Sequence, residues 1–410
     1  MKFPVPGAAR ALALTLAALP GAALRAAESA CDVRGVGRVV AVGDVHGTHD
    51  GFLEVLRLAG LLDPKGRWSG GRAHLVQTGD ILDRGPDSRK VMDLLMRLEG
   101  EARKAGGRVH ALLGNHEAMN ILGDLRYVTP GEYEAFRTPR SERLREERYQ
   151  AVREARAEAA RIAGQLFDEG AFREAFLKEI PLGFLEHRLA FSTEGRYGKW
   201  LRQRDTVVRI DGVAFLHGGL VPEVARLGCE AINATVRTEL GADLDRTLAS
   251  PAASLSTRED GPLWYRGLAR EDETAQAAAV DEVLAALGAR TLVIGHTLTE
   301  TGRLKTRFGG RVVMIDTGML PAYGGHRSAL EIGPGGMVAL YPAGRETLLP
   351  KAAGGTGCPP CAGRPVLPQT LRDPDAPRPA TAARVHGTWL APSTLVTDVK
   401  ARQDWPTASP

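Results

Sequence analysis

Five short apolar runs in this chain end in a residue able to hold a divalent metal ion. Asp44 and His46 follow Val39-Val40-Ala41-Val42, and Asp80 follows HLVQT. Asn115 follows HALL, His217 follows GVAFL, and His296 follows TLVI. Their donor atoms are carboxylate or amide oxygens and imidazole nitrogens, with no thiolate among them. That set suits manganese, iron or zinc better than copper(I). A single intervening residue predicts that Asp44 and His46 share one side of an extended segment. Gly43, Gly79, Gly114, Gly218 and Gly295 flank these positions, where a missing Cβ permits sharp turns and close backbone approach. Any one such residue is unremarkable; the repetition is what points to a metal centre. His49, His74, His110, His187, His326 and His386 lack that setting and are read as core or loop histidines.

Elements must carry these residues to one place. The β-branched run in GRVVAVGDVHG (37–47) reads as a buried strand that ends in a polar loop, and HLVQTGDILDRG (74–85) repeats the design. A helix is predicted over 87–104, because Val91, Leu94, Leu95 and Leu98 recur at the spacing of one buried face. RVHALLGNHE is the next strand, so strand, helix and strand alternate as in a layered α/β fold. From 131 to 190 the composition turns to Arg, Glu and Ala, strong helix formers. This reads as a helical insertion, with Val152, Ala159, Ile162 and Leu166 as its apolar stripe and its charges on a solvated face. Strand texture resumes at 212–219, 291–297, 311–318, 328–333 and 337–342. The later runs are closely spaced and predict an antiparallel second sheet. Residues 343–410, rich in Pro and Gly, are read as a poorly ordered tail.

The chain has 410 residues, 43% hydrophobic and 25% charged, as in ordinary globular proteins. Residues 1–26 read as an export signal: Lys2 and Arg10, the apolar run ALALTLAAL, then Pro20-Gly21 and small residues, with cleavage within 23–30. The apolar run is too short for a membrane span, which needs about 20 residues. Glu28, three positions before Cys31, argues against lipid attachment there. Removing the leader leaves 50 basic residues against 49 acidic, a balance that gives no reason to expect a nucleic-acid partner. The expected location is periplasmic or secreted. In such an oxidising compartment Cys358-Pro-Pro-Cys361 is read as a small structural disulfide loop.

Taken in order, GDVHG, GDILDRG, GNHE, HGG and GHT resemble the calcineurin-like metallophosphoesterases, in the phosphoprotein phosphatase branch. GPLWYRG (261–267) and VVMIDTGM (312–319) look most like the bacterial-type Shewanella-like phosphatases. The resemblance covers about residues 37–342. It implies an α/β fold, a four-layer αββα sandwich of two mixed sheets with the helices outside. It also implies two divalent metal ions. Asp44, His46 and Asp80 would hold the first; Asp80, Asn115, His217 and His296 would hold the second. A hydroxide bridging them would attack phosphorus in line. His116 would be the general acid, oriented by Asp83, while Arg84 and Arg266 would clamp the phosphate. Tyr323 would approach the pocket or pack in the core.

The implied substrates are phosphorylated proteins, phosphotyrosine included, or small phosphomonoesters. The recognition sequences of serine/threonine phosphatases are not evident, so phosphoserine specificity does not carry over. Two other readings stand beside this one: hydrolysis of a phosphoanhydride such as a dinucleoside polyphosphate, and a non-catalytic module that binds a phospho-ligand.

Overall fold

The computed structural model describes residues 31–350. The leader, the Cys358–Cys361 pair, His386 and the tail beyond Pro350 lie outside the described residues. In chain order the strands are β1 (Asp32–Val33), β2 (Val39–Val42), β3 (His74–Gln77), β4 (Arg108–Ala111), β5 (Val207–Ile210) and β6 (Val213–Leu216). They continue as β7 (Thr291–Ile294), β8 (Lys305–Arg307), β9 (Val312–Met314), β10 (Ala329–Gly333), β11 (Gly336–Tyr341) and β12 (Gly344–Pro350). One sheet has the order β1-β5-β6-β7-β9-β8 and the other β12-β11-β10-β2-β3-β4. Both are mixed: β2, β3 and β4 run parallel, as do β6, β7 and β9, with antiparallel strands flanking them.

Side-chain alternation explains the layers. Val39, Ala41, Val76, Val213, Phe215, Val293 and Val313 point into a core between the sheets. Their neighbours Val40, Val42, Leu75, Ala214, Leu216, Leu292, Ile294 and Val312 point the other way, into a core shared with helices. A strand apolar on both faces must be covered on both, so each sheet takes the other on one side and helices on its second. The covering helices include Ser88–Lys104, with Val91, Leu94, Leu95 and Leu98 all buried, and Glu273–Leu287, with Val280 and Val283 buried. The result is the two-sheet sandwich with outer helices that the motifs implied.

Three expectations need correction. The later strands do not form one antiparallel sheet. β7 and β9 lie parallel, and β8, between them in sequence, pairs antiparallel with β9 at the sheet edge. β10 and β11 extend the other sheet, through antiparallel pairing of β10 with β2. Second, the chain does not lose order at Ala343. It continues as β12, held to β11 by main-chain pairing that composition does not reveal. Third, the apolar stripe of the insertion is different.

The insertion comprises helices Pro130–Phe136, Ser141–Ile162, Glu169–Glu179 and Phe184–Phe191. Ile162 and Leu166 are exposed, at 74% and 102%. The insertion instead builds a small aromatic core from Tyr149, Phe172, Phe176, Ile180 and Phe184, to which Val152 adds an edge. Aromatic side chains bury more area each than the Val, Ala, Ile and Leu of the predicted stripe, and they decide which face turns inward.

Candidate metal centre

The segments leaving β2, β3, β4, β6 and β7 bring Asp44, His46, Asp80, Asn115, His217 and His296 together. Distances carry the convergence. His217 Nε2 lies 3.0 Å from Asn115 Oδ1, 3.0 Å from His296 Nδ1 and 3.3 Å from Asp80 Oδ2. His46 Nε2 lies 3.7 Å from Asp80 Oδ2 and 4.0 Å from Asp44 Oδ2. Two groups of ligating atoms, His46–Asp80–His116 and Asp80–His217–His296, each fit within 4.8 Å, and they share Asp80.

The far nitrogen of each ring tells which atoms face inward. His46 Nδ1 meets the Leu82 carbonyl at 3.0 Å, His217 Nδ1 the Thr78 carbonyl at 3.0 Å, and His296 Nε2 the Trp264 carbonyl at 3.1 Å. A carbonyl only accepts, so those nitrogens carry the protons and the inward nitrogens carry lone pairs. Lone pairs of His217 and His296 therefore face each other, an amide oxygen and a carboxylate oxygen. Such an arrangement of acceptors is repulsive without a cation between them and is the usual outer support of metal-bound histidine. The residues fit divalent metal.

Buried charge points the same way. Burial, then the charges of Asp316 and Asp80, pushes the Asp44 carboxyl well above its ordinary range. Burial likewise pushes Asp316 up to about 6. Burial, with the neighbouring His116, pulls His46 down to about 3, so it is neutral at pH 7 as a ligand must be. The same cause holds His296 well below its usual value.

His116 sits beside the cluster. Its Nδ1 is 2.6 Å from Asp83 Oδ2, and its Nε2 is 3.2 Å from an Arg84 nitrogen and 3.8 Å from Asp80 Oδ2. Burial pushes Asp83 up to about 7, against the hydrogen bond it accepts from Asn120 Nδ2 at 2.8 Å. The Arg84 guanidinium lies over the rings of Tyr127 (4.9 Å) and Tyr323 (5.3 Å) and donates to the Tyr323 hydroxyl. Tyr323 thus belongs to the cleft and not to the core. Arg266 Nη1 donates to the His296 carbonyl at 2.6 Å and to Thr297 Oγ1 at 3.1 Å, which aims its guanidinium over the same cluster. Arg84, Arg266, His116 and Tyr323 line one cleft with the cluster at its floor.

The backbone here is held out of its ordinary range. His46, Asp80, Asp83, Arg84 and His296 all have positive φ, between 47° and 68°, where each non-glycine residue costs about 1 kcal/mol or more. His46 is therefore not in an extended segment with Asp44, as the spacing suggested. The turn at His46 brings both side chains to the cluster instead. Close approach is required at Gly114 and Gly295. A Cβ on them would lie 2.2 Å from Asp80 Oδ1 and 2.4 Å from Asp44 Oδ1 respectively.

Sequence reasoning missed four residues. Asp316 ends the run VVMI and lines the cleft, so the same rule of apolar run then donor identifies it. Glu117 is buried and accepts the amides of Gly114 (2.7 Å), Asp80 (2.8 Å) and Ile81 (2.9 Å), tying two ligand loops together. Its place three residues after Gly114 is the spacing of a helix-capping glutamate. Asn120 and Tyr127, which support Asp83 and Arg84, carry no local signal.

Residues 37–300 match the calcineurin-like phosphoesterase family. The chain belongs to that family. An uncharacterized protein of Schizosaccharomyces pombe is 35% identical over 72% of this chain and 76% of its own length. Shewanella-like protein phosphatase 2 of Arabidopsis thaliana is 30% identical over 69% of this chain and 71% of its own. Among solved structures, the cold-active protein-tyrosine phosphatase of a psychrophilic Shewanella species aligns with a TM-score of 0.59 and 29% identity, covering 78% of this chain and 82% of that one. This calcineurin-like phosphoesterase is a metal-dependent enzyme, and its His/Asp cluster supplies the donors such an enzyme uses.

Proposed function

We propose that this phosphoesterase hydrolyses phosphomonoesters at a pair of divalent ions, with phosphotyrosine in proteins as the favoured substrate. The observation that carries the reading is the set of inward lone pairs around Asp80, next to a buried Asp83–His116 pair that opens on the same cleft. Asp44, His46 and Asp80 would hold one ion, and Asp80, Asn115, His217 and His296 the other. A carboxylate has two oxygens and can serve both. Bound divalent ions supply positive charge to the phosphoryl oxygens and make a water more acidic. Manganese is the proposed occupant, with iron or zinc also suited to these donors.

The protein's own groups complete the chemistry. Asp83 accepts the Nδ1 proton of His116 and so orients the ring, with Nε2 facing Arg84 and the cleft; when protonated at Nε2, the imidazole would deliver that proton to the departing oxygen. Arg84 and Arg266 present guanidinium forks to the phosphoryl oxygens. The enclosed space in the cleft is only about 10 Å³, far below the roughly 300–1,000 Å³ of ordinary small-molecule pockets, so the parent molecule of any phosphoryl group would stay outside. Tyr323 lines the cleft beside Arg84, where an aryl leaving group has a ring to pack against. The tyrosine phosphatase from Shewanella and the protein phosphatase from Arabidopsis support this choice of substrate.

We propose a periplasmic or secreted location. It is supported by the leader-like residues 1–26 and by a disulfide between Cys31 and Cys229, a bond favoured in oxidising compartments.

The test is a substrate comparison. Purified protein with Mn²⁺ is given phosphotyrosine peptide, phosphoserine peptide and diadenosine tetraphosphate. The highest kcat/KM is expected on phosphotyrosine. A preference for the tetraphosphate selects phosphoanhydride hydrolysis instead. No turnover of any with manganese, iron or zinc overturns the proposal.

A further inference from the structure

The helical insertion reaches into the Asp83–His116 pair. Asp83 and Arg84 are consecutive residues with φ of 67° and 68°. Both amides are tied to the segment that begins the insertion. The Arg84 amide donates to the Tyr127 carbonyl at 3.0 Å. The Asp83 amide donates to Glu132 Oε1 at 3.1 Å and to Ser88 Oγ at 3.1 Å, and the Ser88 hydroxyl in turn donates to Glu132. A second arm comes from helix Phe184–Phe191. Arg188 donates to the Asn120 carbonyl at 2.6 Å, and the Asn120 side chain donates to Asp83 Oδ1 at 2.8 Å and to the His116 carbonyl at 3.0 Å.

Glu132 has a simpler role that must be weighed first. With Thr129 it forms a capping box: Glu132 Oε2 accepts the Thr129 amide at 2.8 Å, and Thr129 Oγ1 accepts the Glu132 amide at 3.4 Å. Capping uses only one carboxylate oxygen. Glu132 is 3% exposed, and its second oxygen is spent on Asp83 and Ser88. We propose that Glu132 is a positioning residue for proton delivery, by which the insertion fixes the strained Asp83 turn and so the aim of His116. The inference rests on the reading of His116 as the acid.

The test is kinetic and uses the full chain loaded with metal. Wild type, Glu132→Ala, Thr129→Ala and His116→Asn are each assayed on an activated aryl phosphate and on an alkyl phosphate. An alkoxide needs its proton and a nitrophenolate hardly does. Misaiming an acid should therefore lower kcat on the alkyl ester by roughly tenfold or more, with aryl turnover within about threefold and KM little changed. Thr129→Ala breaks the other half of the cap. It should lower the melting temperature without altering the ratio of the two substrates. Adding Glu132→Ala to His116→Asn should cost little more on the alkyl ester than His116→Asn alone, because the two act through one step. If alanine at 132 prevents folding, Glu132→Gln, which keeps one acceptor oxygen, should give a smaller loss of the same kind.

A readout independent of turnover is the downfield proton resonance of His116 Nδ1–H in zinc-loaded protein. It is assigned by its loss in His116→Asn and is expected to shift or broaden in Glu132→Ala. Equal losses on both esters, full additivity with His116→Asn, or an unmoved resonance overturns the inference while leaving the function standing. If His116→Asn itself penalises both esters equally, the acid reading falls and this inference falls with it.

Discussion

Asp83 and His116 are joined by a 2.6 Å contact between Oδ2 and Nδ1, and both side chains are buried from solvent. Asp83 lies on the loop after β3 and His116 in the first turn of the helix Asn115–Leu122 that follows β4, the neighbouring strand, so the geometry of the pair is a product of the sheet. Its meaning for catalysis lies in the leaving group. Replacing His116 with Asn should lower kcat on alkyl phosphates by roughly 100-fold or more, the ordinary worth of general acid catalysis. Aryl phosphates should suffer less. Asp83→Asn should move in the same direction, and parallel rate measurements on the two substrate classes check both.

Glu117 supports a prediction about the metal loops. Its carboxylate accepts three main-chain amides, those of Gly114, Asp80 and Ile81. Glu117→Ala strands buried donors at a cost of about 1–3 kcal/mol each. A loss of stability of several kcal/mol is expected, together with weaker metal retention, because Asp80 and Asn115 lose their common anchor. Thermal unfolding and metal titration measure the two effects.

Stability should also fall with acid, in part through His187. This ring is enclosed by Tyr133, Phe136 and Phe191, and its Nδ1 has no hydrogen-bond partner among the described residues. Burial, then the charge of Arg188, lowers it to about 3 from 6.5. The unfolded chain therefore takes up this proton first. The stabilisation is fully present above 6.5 and is lost as the pH falls toward 3, at a slope of up to about 1.4 kcal/mol per pH unit. His187→Phe should show a shallower decline between pH 7 and pH 5, by about one proton in the linkage slope. An unchanged slope would show that the ring is not buried neutral.

The Cys31–Cys229 bond closes a loop with a sequence separation of 198. It ties the residue before edge strand β1 to helix Gly228–Glu239. Disulfides closing long loops contribute typically 2–4 kcal/mol. Reduction, or Cys229→Ser, should lower the melting temperature of the purified protein by several degrees. No shift on reduction would mean that the bond is not formed.

Much of this was legible in the sequence, for reasons particular residues make plain. Asp44, Asp80, Asn115, His217 and His296 each end an apolar run beside a glycine, so strand, turn and donor are encoded within a few residues. Val91, Leu94, Leu95 and Leu98 gave the buried face of a helix for the same local reason. The partnering of strands was not legible. The run in β10 is recognisable as a strand, but nothing in it names β2 as its neighbour. Nor could Glu132 be linked to Asp83, 49 residues away, or Cys31 to Cys229. Those relations arise only when distant segments fold together. Asp316 ends the strand run VVMI by the same local rule as the other donors and is legible in the same way.

The central claim is a two-ion centre bridged by Asp80, and crystallographic anomalous scattering from manganese-loaded protein tests it most directly. Two anomalous peaks are expected on either side of the Asp80 carboxylate, about 3.5–4 Å apart, and both should weaken in Asp80→Asn. Active crystals with a single peak, or with manganese bound away from Asp80, would contradict the account.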